Sequence, residues 1–182
     1  NLLQQLSGIA TLTARYVDAV AATGCQVLDT RKTVPGWRRL AKYAVACGGG
    51  TNHRLGLYDR IMLKDNHWAA GGQGIETLVA RGRARYPDLA IEVEVDTLDQ
   101  LDRVLPLAVE WILLDNFTPD QAALAVSRRD EAGAATALEA SGNVALATVR
   151  AYAEAGVDAV SVGRLTHSAP ALDLGIDMEL LP

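Results

Sequence analysis

The segment Trp111-Ile112-Leu113-Leu114-Asp115 is an apolar run that ends in a carboxylate, and it decides the fold. A short apolar run bounded by polar residues is typical of a buried strand. We predict a strand over these five residues and a helix that begins at about Pro119. A buried strand followed at once by a helix is one unit of a β/α repeat.

The same alternation of strand and helix continues on both sides of this unit. We predict further strands at 26–29, 61–64, 89–95, 135–139 and 159–162, with a possible short strand at 172–178. We predict helices at 2–22, 38–47, 74–86, 98–105 and 145–155. Repetition of this kind with short connections implies a parallel sheet.

Polar side chains follow five or six of these strands at the point where each strand ends. This distribution favours a β/α barrel, in which catalytic residues come from the carboxyl ends of many strands. A doubly wound sheet would concentrate them at one switch point. Six clear strands are fewer than the usual eight, so we expect an α/β fold that is an incomplete, open barrel. One domain is expected over 1–182, with a linking helix at 1–22 and the barrel at 23–182.

Charge is distributed unevenly along the 182 residues, whose net charge is −5. Residues 1–69 hold nine Lys/Arg and four Asp/Glu, whereas residues 70–182 hold eight and eighteen. Between 31 and 64 there are eight cations and a single acid, Asp59. The negative total argues against a nucleic-acid binder, and the longest apolar runs are too short to span a membrane. The basic segment predicts either a solvated face or a pocket for a polyanion such as a phosphate or carboxylate.

Three groups of cationic residues follow predicted strands or turns. Thr30-Arg31-Lys32 combines a hydroxyl with two cations, which suits carboxylate or phosphate binding, although a surface turn would look the same. His53-Arg54 follows three glycines, and the histidine has a structural alternative. Lys64 ends a strand, so we expect it to point into the mouth of the barrel.

Two carboxylates, Glu94 and Asp115, end successive strands. They could serve as an acid/base pair, as Mg²⁺ ligands, or as charges that stabilise a cationic transition state. Asp115 could also cap the helix that follows. Because Glu92 and Glu94 lie two residues apart on one strand, they share a face, and one of them could pair with a buried cation.

Small residues form a candidate phosphate site. Ser141-Gly142-Asn143 precedes a predicted helix, so its N–H groups could hold a phosphate, although a plain helix cap is the alternative. Gly163 follows another strand and would let the backbone approach a second phosphate contact. The combination of cations, two acids and this loop, without an evident nucleophile, fits glycosyl or phosphoribosyl transfer driven by positioning and electrostatics.

Eight segments of the chain together resemble quinolinate phosphoribosyltransferase, in the order of that family. They are Leu28-Asp29-Thr30-Arg31-Lys32-Thr33-Val34-Pro35-Gly36, Lys42-Tyr43-Ala44-Val45, Gly48-Gly49-Gly50-Thr51-Asn52-His53-Arg54, Lys64-Asp65-Asn66-His67, Glu92-Val93-Glu94-Val95, Leu113-Leu114-Asp115-Asn116, Ser141-Gly142-Asn143 and Ser161-Val162-Gly163-Arg164-Leu165-Thr166-His167. The resemblance implies a transfer of phosphoribosyl from phosphoribosyl pyrophosphate to quinolinate. Decarboxylation accompanies it and gives nicotinate mononucleotide, pyrophosphate and CO₂ for NAD biosynthesis.

The resemblance also implies a role for each site residue. The residues expected to bind the quinolinate carboxylates are Thr30, Arg31, His53, Arg54 and Lys64. Lys32 is expected near the phosphoribosyl group, and Glu94 and Asp115 at the ribose and Mg²⁺. The catalytic set is Lys32, Lys64, Glu94 and Asp115. The residues expected at the 5′-phosphate are Ser141, Gly142, Asn143 and Gly163, with Asn143 at a position where many members have glycine.

Further expectations concern the whole protein. The family has an N-terminal α/β sandwich domain that contributes an arginine to a neighbouring subunit. This chain opens in a helix without that domain, so we expect a fragment or processed chain and a dimer or higher even oligomer. No signal peptide is evident, and Cys25 and Cys47 suit free thiols in a reducing cytoplasm. The alternatives are a paralogue associated with molybdenum transport or specific for nicotinate, and a truncated barrel that only binds anions.

Overall fold

The computed structural model describes residues 1–70 and 74–179. Six strands and eight α-helices are found there, together with a short 3₁₀ turn at Leu105–Leu107. The strands are β1 (Gln26–Leu28), β2 (Ile61–Leu63), β3 (Ile91–Val95), β4 (Trp111–Asp115), β5 (Ala137–Ser141) and β6 (Ala159–Ser161). The helices are α1 (Leu2–Ala19), α2 (Arg38–Cys47), α3 (Asp65–Ala70), α4 (Ile75–Arg85), α5 (Leu98–Val104), α6 (Pro119–Glu131), α7 (Val149–Glu154) and α8 (Arg164–His167).

The strands form one parallel sheet in the order β1-β6-β5-β4-β3-β2. Because β1 lies beside β6, the sheet curls round as in a barrel, but β1 and β2 do not pair and the barrel stays open between them. An isolated bridge joins Thr51 to Leu28 on the open side of β1. This bridge brings the segment that follows Thr51 to the gap in the barrel.

The predicted open parallel barrel is confirmed, and the face of its central strands that packs against the helices is apolar. Ile91, Val93 and Val95 of β3, with Ile112 and Leu114 of β4, are fully buried. Both faces of the central strands are covered, as expected for parallel strands with helices outside. None of the helices in the described part of the chain is long and apolar enough to cross a membrane.

Two expectations for the ends of the chain are wrong. The first helix stops at Ala19 rather than residue 22, because Ala22 and Gly24 adopt left-handed backbone conformations with φ of 65° and 82°. No strand forms at 172–178: the Leu172 N–H donates to Gln4 O at 3.0 Å instead. The tail is therefore held against α1 rather than against the sheet.

Most other boundaries agree to within two residues, and two displacements matter for the site. The strand predicted at 135–139 lies at 137–141, so Glu139 is in its middle rather than at its end. The helix predicted from residue 145 begins at Val149, after a turn. The helix predicted from Pro119 begins there, because Thr118 and Gln121 form a reciprocal capping box.

Candidate active site

The carboxyl ends of the strands surround a cavity of about 330 Å³ in the mouth of the barrel. Its lining comprises Thr30, Arg31, Lys32, His53, Arg54, Met62, Lys64, Glu94, Leu113, Asp115, Glu139, Ser141 and Ser161. The fold thus brings together nine of the twelve predicted site residues from distant parts of the sequence.

A second cavity, of about 460 Å³, contains the remaining three. Gly142, Asn143 and Gly163 line it together with Arg164 and His167. The residues that the two cavities share are Thr30, Lys32, Ser141 and Ser161. The predicted carboxylate and phosphate subsites are therefore adjacent, and Lys32 lies at their boundary.

Two guanidinium groups lie at the first cavity. Arg31 Nε is buried and makes no hydrogen bond to the described residues. Arg54 is held from behind, since its Nη1 donates to Arg60 O at 3.3 Å. Burial and the nearby charge of Arg31 lower the pKa of Arg54. Two cations at one cavity, with no ion pair to a carboxylate among the described residues, favour an anionic ligand.

A buried polar network fixes the loop that carries His53 and Arg54. Asp29 is fully buried, forms an ion pair with Lys42, and accepts a hydrogen bond from the His53 N–H at 2.9 Å. Asn52 Nδ2 donates to Asp29 Oδ2 at 2.7 Å. Burial raises the pKa of Asp29, and its hydrogen bonds oppose that shift. Asp29 thus holds the loop across the gap in the barrel.

His53 is buried and both of its ring nitrogens have neighbours within the protein. Nδ1 accepts a hydrogen bond from the Arg54 N–H at 2.7 Å, and Nε2 lies 3.2 Å from Glu92 Oε2. Burial lowers the pKa of His53, but Glu139 and Glu92 outweigh it and raise that pKa to about 9. These contacts match the structural alternative for this histidine, although its edge also lines the cavity.

The two expected carboxylates differ in their surroundings. Glu94 forms an ion pair with Lys64, whereas Asp115 accepts a hydrogen bond from Asn116 Nδ2 at 2.8 Å. Burial raises the pKa of Glu94, and Asp115 adds to the shift. Burial followed by the charge of Asp96 raises the pKa of Asp115. Asp115 does not cap α6, because Thr118 does, so that alternative is wrong.

The phosphate loop is shaped by backbone conformation rather than by a helix end. Gly142 and Asn143 have φ of 87° and 54°, and α7 begins only at Val149. The loop therefore does not lie at a helix N-terminus, so both the predicted helix end and the alternative of a plain helix cap are wrong. A Cβ on Gly142 would lie 2.1 Å from Asn116 Oδ1, so only glycine fits there. Asn143 can replace glycine because asparagine tolerates the left-handed region better than most residues.

The chain is similar in sequence and in fold to known proteins. Residues 9–177 match the model of the family described as "Quinolinate phosphoribosyl transferase, C-terminal domain". The chain belongs to this family.

Relatives of this quinolinate phosphoribosyl transferase domain agree over nearly its whole length. A nicotinate-nucleotide pyrophosphorylase [carboxylating] of Mycobacterium leprae is 52% identical over 178 residues, which are 98% of this chain and 62% of that protein. The crystal structure of NadC from Streptococcus pyogenes has a TM-score of 0.87 at 43% identity, over 95% of this chain and 60% of that one. The chain thus spans about three fifths of the length of these relatives.

Several residues of the quinolinate phosphoribosyl transferase domain reach the cavities without having been predicted as site residues. Glu139 and Ser161 lie at the floor of the first cavity, and Arg164 and His167 line the second. The strand predicted at 135–139 would place Glu139 at its end. A strand boundary shifted by two residues, with alternation from Ser141, would have placed Glu139 on the same inward face.

Proposed function

We propose that this chain carries the quinolinate and phosphoribosyl pyrophosphate sites of a decarboxylating phosphoribosyltransferase. The observation that supports this most strongly is the pair Arg31 and Arg54 at one cavity, with the buried Arg31 Nε unpartnered among the described residues. A planar dicarboxylate presents two anionic groups, and guanidinium groups match that geometry. Lys64 adds a third cation at the same cavity.

The adjacent cavity suits the phosphoribosyl group. Its glycine-bearing loop offers backbone N–H groups, and Lys32 lies between it and the first cavity. Binding both substrates there brings the ring nitrogen to the ribose carbon, which loses pyrophosphate. The charge that then develops on the ring nitrogen draws the electron pair of the departing carboxylate. Positioning and electrostatics carry this reaction, so no nucleophilic side chain is needed.

Mg²⁺ is the cofactor that we propose, with Glu94 and Asp115 as the residues that would hold it. The fit rests on their carboxylate oxygens, which are ligands that Mg²⁺ prefers. It also rests on the repulsion between the two carboxylates, which adds to the effect of burial in raising the pKa of Glu94. When bound, the ion would neutralise charge on the pyrophosphate. Lys64 would hold the Glu94 carboxylate in position.

The whole protein is proposed to be a homodimer or higher even oligomer in which a neighbouring N-terminal domain completes the active site. The incomplete barrel supports this, because the gap between β1 and β2 lies beside the cavity. Cys25 and Cys47 are both free, which supports the cytoplasm as the compartment of the reaction.

Calorimetric titration with quinolinate and with nicotinate tests the proposed substrate. We expect quinolinate to bind more tightly, because it has a second carboxylate, and Arg54→Ala to weaken its binding by ~2–4 kcal/mol. Arg103→Ala is the matched control, since Arg103 pairs with Glu76 on the surface. Equal binding of both compounds would favour a nicotinate-specific paralogue. An unchanged quinolinate Kd in Arg54→Ala would contradict the carboxylate site.

A further inference from the structure

Glu139 lies at the floor of the first cavity and has no hydrogen-bond partner for either carboxyl oxygen among the described residues. Glu139 is fully buried. His53 Nε2 lies 3.3 Å from Glu139 Oε2 but is not aligned for a hydrogen bond. A buried ionised carboxylate without donors is strongly disfavoured, so this side chain requires a proton or a ligand.

The cations around Glu139 are already engaged by its neighbour Glu92. Arg60 Nη1 lies 3.2 Å from Glu92 Oε2, and its guanidinium stacks on Trp111 at 5.3 Å from the ring centre. His53 Nε2 is likewise 3.2 Å from Glu92 Oε2. Glu92 therefore has the Arg60 counter-charge, whereas Glu139 has only the His53 ring that it shares with Glu92.

A metal ion does not suit the cluster formed by His53, Glu92 and Glu139. His53, Glu92 and Glu139 present ligand atoms within 4.8 Å of one another, as a cation site would. However, the Arg60 guanidinium already lies 3.5 Å from His53 Nε2 and neutralises Glu92. A divalent cation would face that positive charge at close range.

A proton on Glu139 balances the cluster instead. The raised pKa of His53 means that this cluster holds one proton beyond that of a neutral imidazole. Because the Arg54 N–H donates to His53 Nδ1, that nitrogen carries no proton, and the ring keeps its single proton on Nε2. The remaining proton then belongs on Glu139. Burial raises the pKa of Glu139, and the charge of Glu92 raises it further, so both favour the protonated carboxyl. The His53 ring and the uncharged Ser161 side chain on β6 act in the opposite direction.

The proposed reaction needs one proton from a group at the first cavity. Loss of CO₂ leaves an electron pair on the ring carbon, and a proton must replace the carboxylate there. Lys64 is engaged by Glu94, and the Asp115 side chain accepts a hydrogen bond from Asn116. Glu139 is a cavity-lining acid whose carboxyl oxygens make no hydrogen bond to the described residues.

We propose that Glu139 donates a proton to the ring carbon from which CO₂ departs. The carbon–carbon bond breaks, its electron pair stays on the ring carbon, and that pair takes the proton from the Glu139 carboxyl. Glu139 is left as a carboxylate and regains a proton from water when product leaves. This inference rests on the proposed function, because it requires a decarboxylation.

Glu139→Gln tests the proposal, since the amide has nearly the same shape but cannot give up a proton. In a single turnover with carboxyl-labelled quinolinate, CO₂ release should slow ~100-fold relative to pyrophosphate release, and quinolinate mononucleotide should accumulate. Glu139→Asp, which keeps an acid, should restore part of the CO₂ release. Glu110→Gln is the matched control at an exposed ion pair.

Three outcomes would overturn the proposal. CO₂ release could be unaffected in Glu139→Gln, or CO₂ and pyrophosphate release could slow together in a variant that keeps the parent's circular dichroism. The infrared difference between the parent and Glu139→Gln, both ligand-free at pH 7, could also show no protonated carboxyl band. A parent protein that releases no pyrophosphate from these substrates would instead refute the proposed function, on which this role depends.

Discussion

Lys42 Nζ contacts Asp29 Oδ1 in the interior, where the two side chains are 5% and 0% exposed. Lys42 also donates to His53 O at 2.8 Å, while Asp29 accepts the His53 N–H. The pair therefore holds the main chain of His53 from both sides. Its position explains how a loop in the open part of the barrel can present Arg54 to the cavity.

Breaking this buried pair should destabilise the fold. Lys42→Met would leave the Asp29 carboxylate buried without its cation, which we expect to cost ~3–5 kcal/mol of unfolding free energy. The double variant Lys42→Met/Asp29→Asn should recover much of that loss, because no unpaired charge remains. Urea unfolding followed by circular dichroism measures both. A double variant no more stable than the single one would contradict the charge argument.

The two glycines of the phosphate cavity should respond differently to alanine. Gly142→Ala should lower stability by ~1–3 kcal/mol, since its φ is 87° and a Cβ would meet Asn116. Gly163 has an ordinary φ of −61°, and its Cβ would meet only the ends of His167 and Lys32, at 3.1 and 3.3 Å. Gly163→Ala should therefore fold normally and weaken phosphoribosyl pyrophosphate binding. Melting temperatures and calorimetry separate the two effects.

Turnover should require more Mg²⁺ as the pH falls. Burial raises the pKa of Glu94 and Asp115, so protons displace the metal at a higher pH than for ordinary carboxylates. We expect the Mg²⁺ concentration for half-maximal turnover to rise between pH 7.5 and 5.5.

Asp115→Asn removes one of these ligands and should raise that concentration at both pH values. Quinolinate binding should change much less. Asp99→Asn, at an exposed carboxylate, is the control. If the Asp115→Asn protein has the same Mg²⁺ requirement as the parent, Asp115 is not a ligand of the metal.

One of the two thiols should react readily in the folded protein. Burial, followed by the charge of Asp158, raises the pKa of Cys25 to about 12, so its thiolate is scarce at pH 8. Cys47 is exposed. Iodoacetamide at pH 8 should add one group, at Cys47, by mass spectrometry, and a second only in urea. Equal labelling of both thiols without urea would show that Cys25 is accessible.

The sequence by itself determined the repeating strands and helices, because apolar periodicity and turn residues act locally. It predicted the 38–47 helix and the 111–115 strand at their observed bounds. It also predicted that Arg31, Lys64 and Glu94 lie together at the mouth of the barrel, since polar residues at strand ends meet at one edge of a parallel sheet.

Only the tertiary structure decided the partners of those residues. Glu92 pairs with Arg60 and Glu94 with Lys64, so both acids on that face meet a cation. The bent loop at Gly142 and Asn143, and the isolation of Glu139 at the cavity floor, depend on contacts with distant strands. Such contacts follow from packing in three dimensions, and neither a local pattern nor a spacing in the sequence specifies them.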